Sequence, residues 1–128
     1  MPVFLQVALG GAIGATCRFL LAGAITRRFG SHFPLGTLSV NVLGSLIMGF
    51  ALVFILRRTD LGLNHFAPFF MTGVLGGFTT FSAFSMETVL LIERGRIDLA
   101  GVYIFASVVL SVLAFLGPLV LLRGWITS

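Results

Sequence analysis

The chain has 128 residues, 58% of them hydrophobic and 9% charged, and its net charge of +4 comes with eight arginines and no lysine. A chain this apolar is membrane-embedded, which excludes an ordinary soluble domain. No basic cluster is interleaved with aromatic residues, so the arginines at segment ends are expected to meet lipid headgroups, and nucleic acid is not a partner.

Four apolar segments reach the ~20 residues that a spanning helix needs. The first runs from about Val3 to Ile25. No charged region precedes it and no A-x-A site follows, so it reads as a retained helix and not a cleaved signal. Gly10, Gly11 and Gly14 give it a small-residue face, and Arg18 lies deep within it. Two readings of Arg18 stand. It is a fixed charge that draws anions or orders a vestibule, or it snorkels or pairs with a carboxylate. Glu87, the one acid well inside a span, is the candidate partner. Cys17 is the single cysteine, so no internal disulfide is implied.

The second segment runs from about Leu35 to Leu56. Its Thr37, Asn41 and Ser45 follow at steps of four and share one helical stripe. The third runs from about Phe66 to Ile92 and contains Gly73-Val74-Leu75-Gly76-Gly77-Phe78-Thr79-Thr80-Phe81-Ser82-Ala83-Phe84-Ser85. Glycine weakens a helix by about 1 kcal/mol relative to alanine. Three of them before Thr79-Thr80 predict a break, whose free backbone groups could hold an ion. The competing reading is a close helix crossing through the Gly73/Gly77 GxxxG pair. Phe78, Phe81 and Phe84 recur at steps of three, with Ser82 and Ser85 between them. The fourth segment, from about Leu99 to Leu122, carries Tyr103, Ser107 and Ser111 at steps of four.

The connectors are short, so residues 1–128 read as a single four-helix transmembrane domain. Three helices each present a polar or aromatic line, rich in neutral donors and poor in carboxylates. Hydroxyl, amide N–H and electropositive ring edges suit an anion that sheds water. His32 and His65 lie in connectors without ligand spacing, and no Ser-His-Asp set is suggested, so no enzyme is expected.

Arginines are nearly balanced across the membrane. Arg57, Arg58 and Arg123 fall on the side of the termini, and Arg27, Arg28, Arg94 and Arg96 on the other. Orientation follows such a bias. With almost none, the chain is expected to insert both ways up and to form antiparallel, dual-topology homodimers, unless a small asymmetry or an insertion factor fixes one orientation.

Gly76-Gly77-Phe78-Thr79-Thr80-Phe81-Ser82-Ala83-Phe84 resembles the signature of the Fluc (CrcB) family of small fluoride channels. Gly14-Ala15-Thr16-Cys17-Arg18-Phe19, the run from Gly36 to Ser45, and Tyr103, Ser107 and Ser111 resemble further family motifs in order, so the likeness covers essentially the whole chain. It departs in Ala83, where threonine is common, and in Phe78, where leucine also occurs. The resemblance implies a fluoride-selective channel of the bacterial inner membrane that exports cytoplasmic fluoride passively through two pores of an antiparallel homodimer. It implies that Phe81 and Phe84 line the ion path, with Asn41, Thr37, Thr80, Ser82, Tyr103, Ser107 and Ser111 beside it. It implies a vestibule at Arg18, near Glu87, and a structural Na⁺ held at the dimer interface by the carbonyls of Gly76 and Thr79. The alternative is a small dual-topology multidrug or cation antiporter, which needs an embedded acid in its first helix where this chain has Arg18.

Overall fold

The computed structural model describes residues 1–58, 60 and 62–124. Within these residues the architecture is all-helical, without strands. Four stretches are long and apolar enough to cross a membrane: Val3–Phe29, Leu35–Arg57, Pro68–Glu93 and Ile97–Leu121. The protein is therefore a multi-pass membrane protein.

Helix α1 spans Val3–Phe29 and ends at Gly30, whose φ of 87° suits glycine and whose N–H bonds the Thr26 carbonyl at 2.8 Å. Helix α2 spans Leu35–Arg57 and begins directly after Pro34. The third stretch opens with α3. It winds from Pro68 to Leu75 in wide π-type turns and closes with one α-turn at Gly76–Phe78. Thr79 and Thr80 are extended, at φ −87°, ψ 158° and φ −152°, ψ 123°. Helix α4 then runs from Phe81 to Glu93, and its N-cap is Thr80, whose Oγ1 accepts the Ala83 N–H at 3.2 Å. Helix α5 spans Ile97–Leu121 and carries a buried Pro118 close to its end.

α1 lies against α3 and α2, α2 against α5, and α5 also against α4. The α1–α3 seam is built from glycine on both sides. A Cβ at Gly14 would overlap the Val74 carbonyl, one at Gly10 the Phe69 carbonyl, and one at Gly77 would sit 2.7 Å from the Gly11 carbonyl. Backbones approach this closely only where side chains are missing. The crossing suggested by Gly73/Gly77 is thus present, with the small-residue face of α1 as its partner.

The buried cluster Leu91, Ala100 and Tyr103, with Phe33, Leu38, Phe84 and Leu99 packed on it, joins α2, α4 and α5. Tyr103 is fully buried: the Phe33 ring meets it edge-on at 5.7 Å and the Phe84 ring lies 5.2 Å away.

One expected stripe is different in the structure. Phe78, Phe81 and Phe84 do not form a single line. The extended Thr79-Thr80 pair ends the helical register after Phe78, which is buried at 8% exposure, whereas Phe81 is 78% exposed. Phe78 packs beside Gly44 of α2, where a Cβ would lie 3.2 Å from its ring and would overlap the Thr79 methyl.

Candidate functional site

The extended pair is held by a side chain that imitates backbone. Asn41 on α2 donates Nδ2–H to the Thr80 carbonyl at 3.0 Å, and its Oδ1 accepts the Thr80 N–H at 2.8 Å. An isolated extended residue at membrane depth would leave both groups unpaired, at several kcal/mol each. One amide answers both. Gly44, one turn further along α2, removes the side chain that would block this approach.

The pairing changes the carbonyls of the preceding turn. In a continuous helix the Thr80 N–H would bond Gly76 and the Ala83 N–H would bond Thr79. Here those donors go to Asn41 Oδ1 and Thr80 Oγ1. Neither the Gly76 nor the Thr79 carbonyl receives its helical donor. The Gly77 carbonyl, by contrast, accepts the Arg18 Nε–H at 3.1 Å. A guanidinium thus caps one carbonyl of the turn and leaves its neighbours to other partners.

Two open clefts meet at Thr80. The first, of about 400 Å³, is lined by Asn41, Ser45, Thr79, Thr80, Phe81, Phe84, Ser107 and Ser111, with Met48 and Phe115 among its apolar members. No carboxylate lines it. Ser107 Oγ is buried and has no hydrogen-bond partner, so its hydroxyl is available to a ligand in this cleft. The Phe81 and Phe84 rings lie 5.4 Å apart with a 47° tilt. One N–H of Asn41 remains after the Thr80 bond.

The second cleft, of about 550 Å³, is lined by Arg18, Arg27, Thr37, Thr80 and Glu87 together with Thr26 and Pro34. Arg18 and Glu87 share it without pairing. Glu87 accepts the Thr37 hydroxyl on Oε1 at 2.8 Å and the Tyr103 hydroxyl on Oε2 at 3.0 Å. Both oxygens of a carboxylate within the span thereby meet neutral donors.

Of the residues singled out from sequence, Asn41, Thr80, Phe81, Phe84, Ser107 and Ser111 come together in the first cleft, and Arg18, Thr37 and Glu87 in the second, with Thr80 in both. Tyr103 lines neither; it stands behind Phe84 and positions Glu87. Ser82 also lines neither. It is exposed, with its Oγ 3.2 Å from Thr80 Oγ1. Thr79 borders the first cleft, and Gly76 is exposed outside both. Sequence reasoning missed Arg27, which looked like one more headgroup arginine, and Gly44, whose signal lay in its place between Asn41 and Ser45.

Comparison with known proteins agrees with this geometry. The family model described as "CrcB-like protein, Camphor Resistance (CrcB)" matches residues 5–118. The "Fluoride-specific ion channel FluC" of Roseobacter denitrificans is 52% identical over 126 residues, covering 97% of this chain and 98% of the relative. The proteins of that name from Cereibacter sphaeroides and Agrobacterium fabrum are 50% and 45% identical, over 94% and 92% of this chain and 94% of each relative. A family match across nearly the full length, on a chain whose clefts gather the residues that carry the earlier resemblance, means that this chain belongs to the CrcB family.

Proposed function

We propose that the protein is a fluoride-selective channel that lets fluoride leave the cytoplasm passively across a bacterial inner membrane, reducing fluoride toxicity. The observation that carries this reading is the first cleft: hydroxyls, an amide N–H and two phenyl rings converge there without a carboxylate. Fluoride holds its water tightly, and only a dense set of replacement donors makes entry feasible. Ser107, Ser111 and the remaining Asn41 N–H supply donors, and the ring edges of Phe81 and Phe84 add electropositive hydrogens. No carboxylate stands on this lining to draw a cation. The relatives' shared name, fluoride-specific ion channel, supports the same reading. Family membership gives no support to the antiporter alternative, whose required acid is absent from α1.

The conducting unit in this proposal is an antiparallel homodimer of the single four-helix domain, with two pores and with the third span interrupted at Thr79-Thr80. Ser82, Ser85 and Gly76 are exposed on one protomer. A polar face turned to lipid is unfavourable, and a second copy would cover it. The cation site fits the same picture. The Gly76 and Thr79 carbonyls lack helical donors, so two oxygens per subunit would give four to a hard cation such as Na⁺ at the two-fold axis. The ion would be structural and would join the two copies. Thr37, Tyr103 and Ser82 belong to the path in a supporting role, the first two through Glu87 and the third through Thr80. The direct test is efflux from proteoliposomes loaded with fluoride and chloride. Rapid fluoride release with chloride retained is expected; equal release of both would contradict the proposal.

A further inference from the structure

The second cleft holds a guanidinium that no motif marked. Arg27 lines it together with Arg18, Thr37 and Glu87. Its Nη1 lies back over its own helix: a Cβ at Gly23 would be 3.3 Å from it and would meet nothing else within 4 Å. The bare backbone at Gly23 therefore leaves the space in which this side chain turns towards the cleft.

The charge stays uncancelled. The ion pairs among the described residues are Arg58–Asp60 and Arg96–Asp98. Glu87 is the sole carboxylate residue on the lining, and its oxygens take the Thr37 and Tyr103 hydroxyls. Two guanidinium groups face one carboxylate, a formal excess of one positive charge. Arg27 lies in the last turn of α1, whereas Arg18 reaches the Gly77 carbonyl of the central turn. Along the helix they are nine residues apart, about 13 Å at 1.5 Å per residue. The two charges thus form a graded pair from mouth to centre.

We propose that Arg27 is an electrostatic positioning residue that concentrates small anions at the mouth of the cleft, ahead of Arg18. The inference rests on the channel reading above. Clefts of one sign with low-dielectric walls raise the local concentration of counter-ions and the rate at which they enter. This effect is screened: the Debye length is about 30 Å at 0.01 M salt and about 3 Å at 1 M.

The test compares wild type, Arg27→Gln and Arg27→Lys in liposomes, reading fluoride efflux at both ionic strengths with gluconate as the impermeant balancing anion. At about 0.01 M, Arg27→Gln is expected to be about threefold slower than wild type, with no difference at about 1 M, and Arg27→Lys to restore the rate. Three results would overturn the inference: no low-salt difference, as headgroup contact alone would give; a defect of equal size at both ionic strengths, as a structural role would give; or Arg27→Lys no faster than Arg27→Gln. A wild type that releases no fluoride would instead sink the channel reading itself, so the two failures are separable.

Discussion

Asn41 has two tasks at once. Its amide closes a two-point pair with Thr80, and one N–H is left for the cleft. Asn41→Asp keeps the shape but loses the donor and sets an oxygen against the Thr80 carbonyl. Leaving a buried backbone acceptor without its donor costs about 1–3 kcal/mol. Fluoride efflux is therefore expected to fall by about tenfold or more, since 1.4 kcal/mol is a factor of ten. Unchanged efflux would show that Asn41 does not hold the break. Ser107 offers a contrasting case, because its hydroxyl has no protein partner to lose. Ser107→Ala should leave thermal stability within about 0.5 kcal/mol of wild type while slowing efflux, a separation measurable by pairing a melting curve with a flux assay. The stripe Thr37–Asn41–Ser45 was readable as one face from its spacing alone. That the amide would be spent largely on backbone was not, because sequence does not say which acceptor lies across an interface.

Among the elements, the α1–α3 seam is the closest backbone approach that the glycines permit. Gly14 and Gly77 both meet backbone, which cannot move aside as a side chain would. Gly14→Val is expected to destabilise the fold by about 1–3 kcal/mol, the usual range for forced overpacking, and to lower the yield of monodisperse protein on size-exclusion chromatography. Gly11→Ala, at a position where a Cβ meets nothing within 4 Å, should behave as wild type. The sequence left two explanations for the glycine run, a crossing and a break. The crossing is realised, with Gly73 and Gly77 against α1; the break belongs to the proposed channel, and the extended backbone of Thr79 and Thr80 supports it. Steps of three for phenylalanine misled, because a helical period has no meaning across two extended residues. Phe78 went to the core and Phe81 to the surface.

At the scale of the whole molecule, the four membrane stretches were legible from apolar length, since only helices and closed barrels satisfy their backbone within lipid and an apolar run of ~20 residues is of helical length. The assembly is a different matter. The proposal of two inverted copies draws on the near-equal arginine counts for the inversion and on the exposed Ser82 and Ser85 for the pairing. In the proposed dimer the Gly76 and Thr79 carbonyls of both copies share a sodium ion. Purification with a large organic cation in place of Na⁺ is then expected to shift the protein towards monomer, which light scattering would register. The test closest to the core of the proposal is fluoride-electrode recording on liposomes that also carry chloride, with wild type and Phe81→Ile side by side. Wild type should empty its fluoride while holding chloride, and Phe81→Ile should be slower by about tenfold, a barrier change of about 1.4 kcal/mol. Chloride leaving alongside fluoride, or identical traces from the two proteins, would contradict a pore lined by these rings.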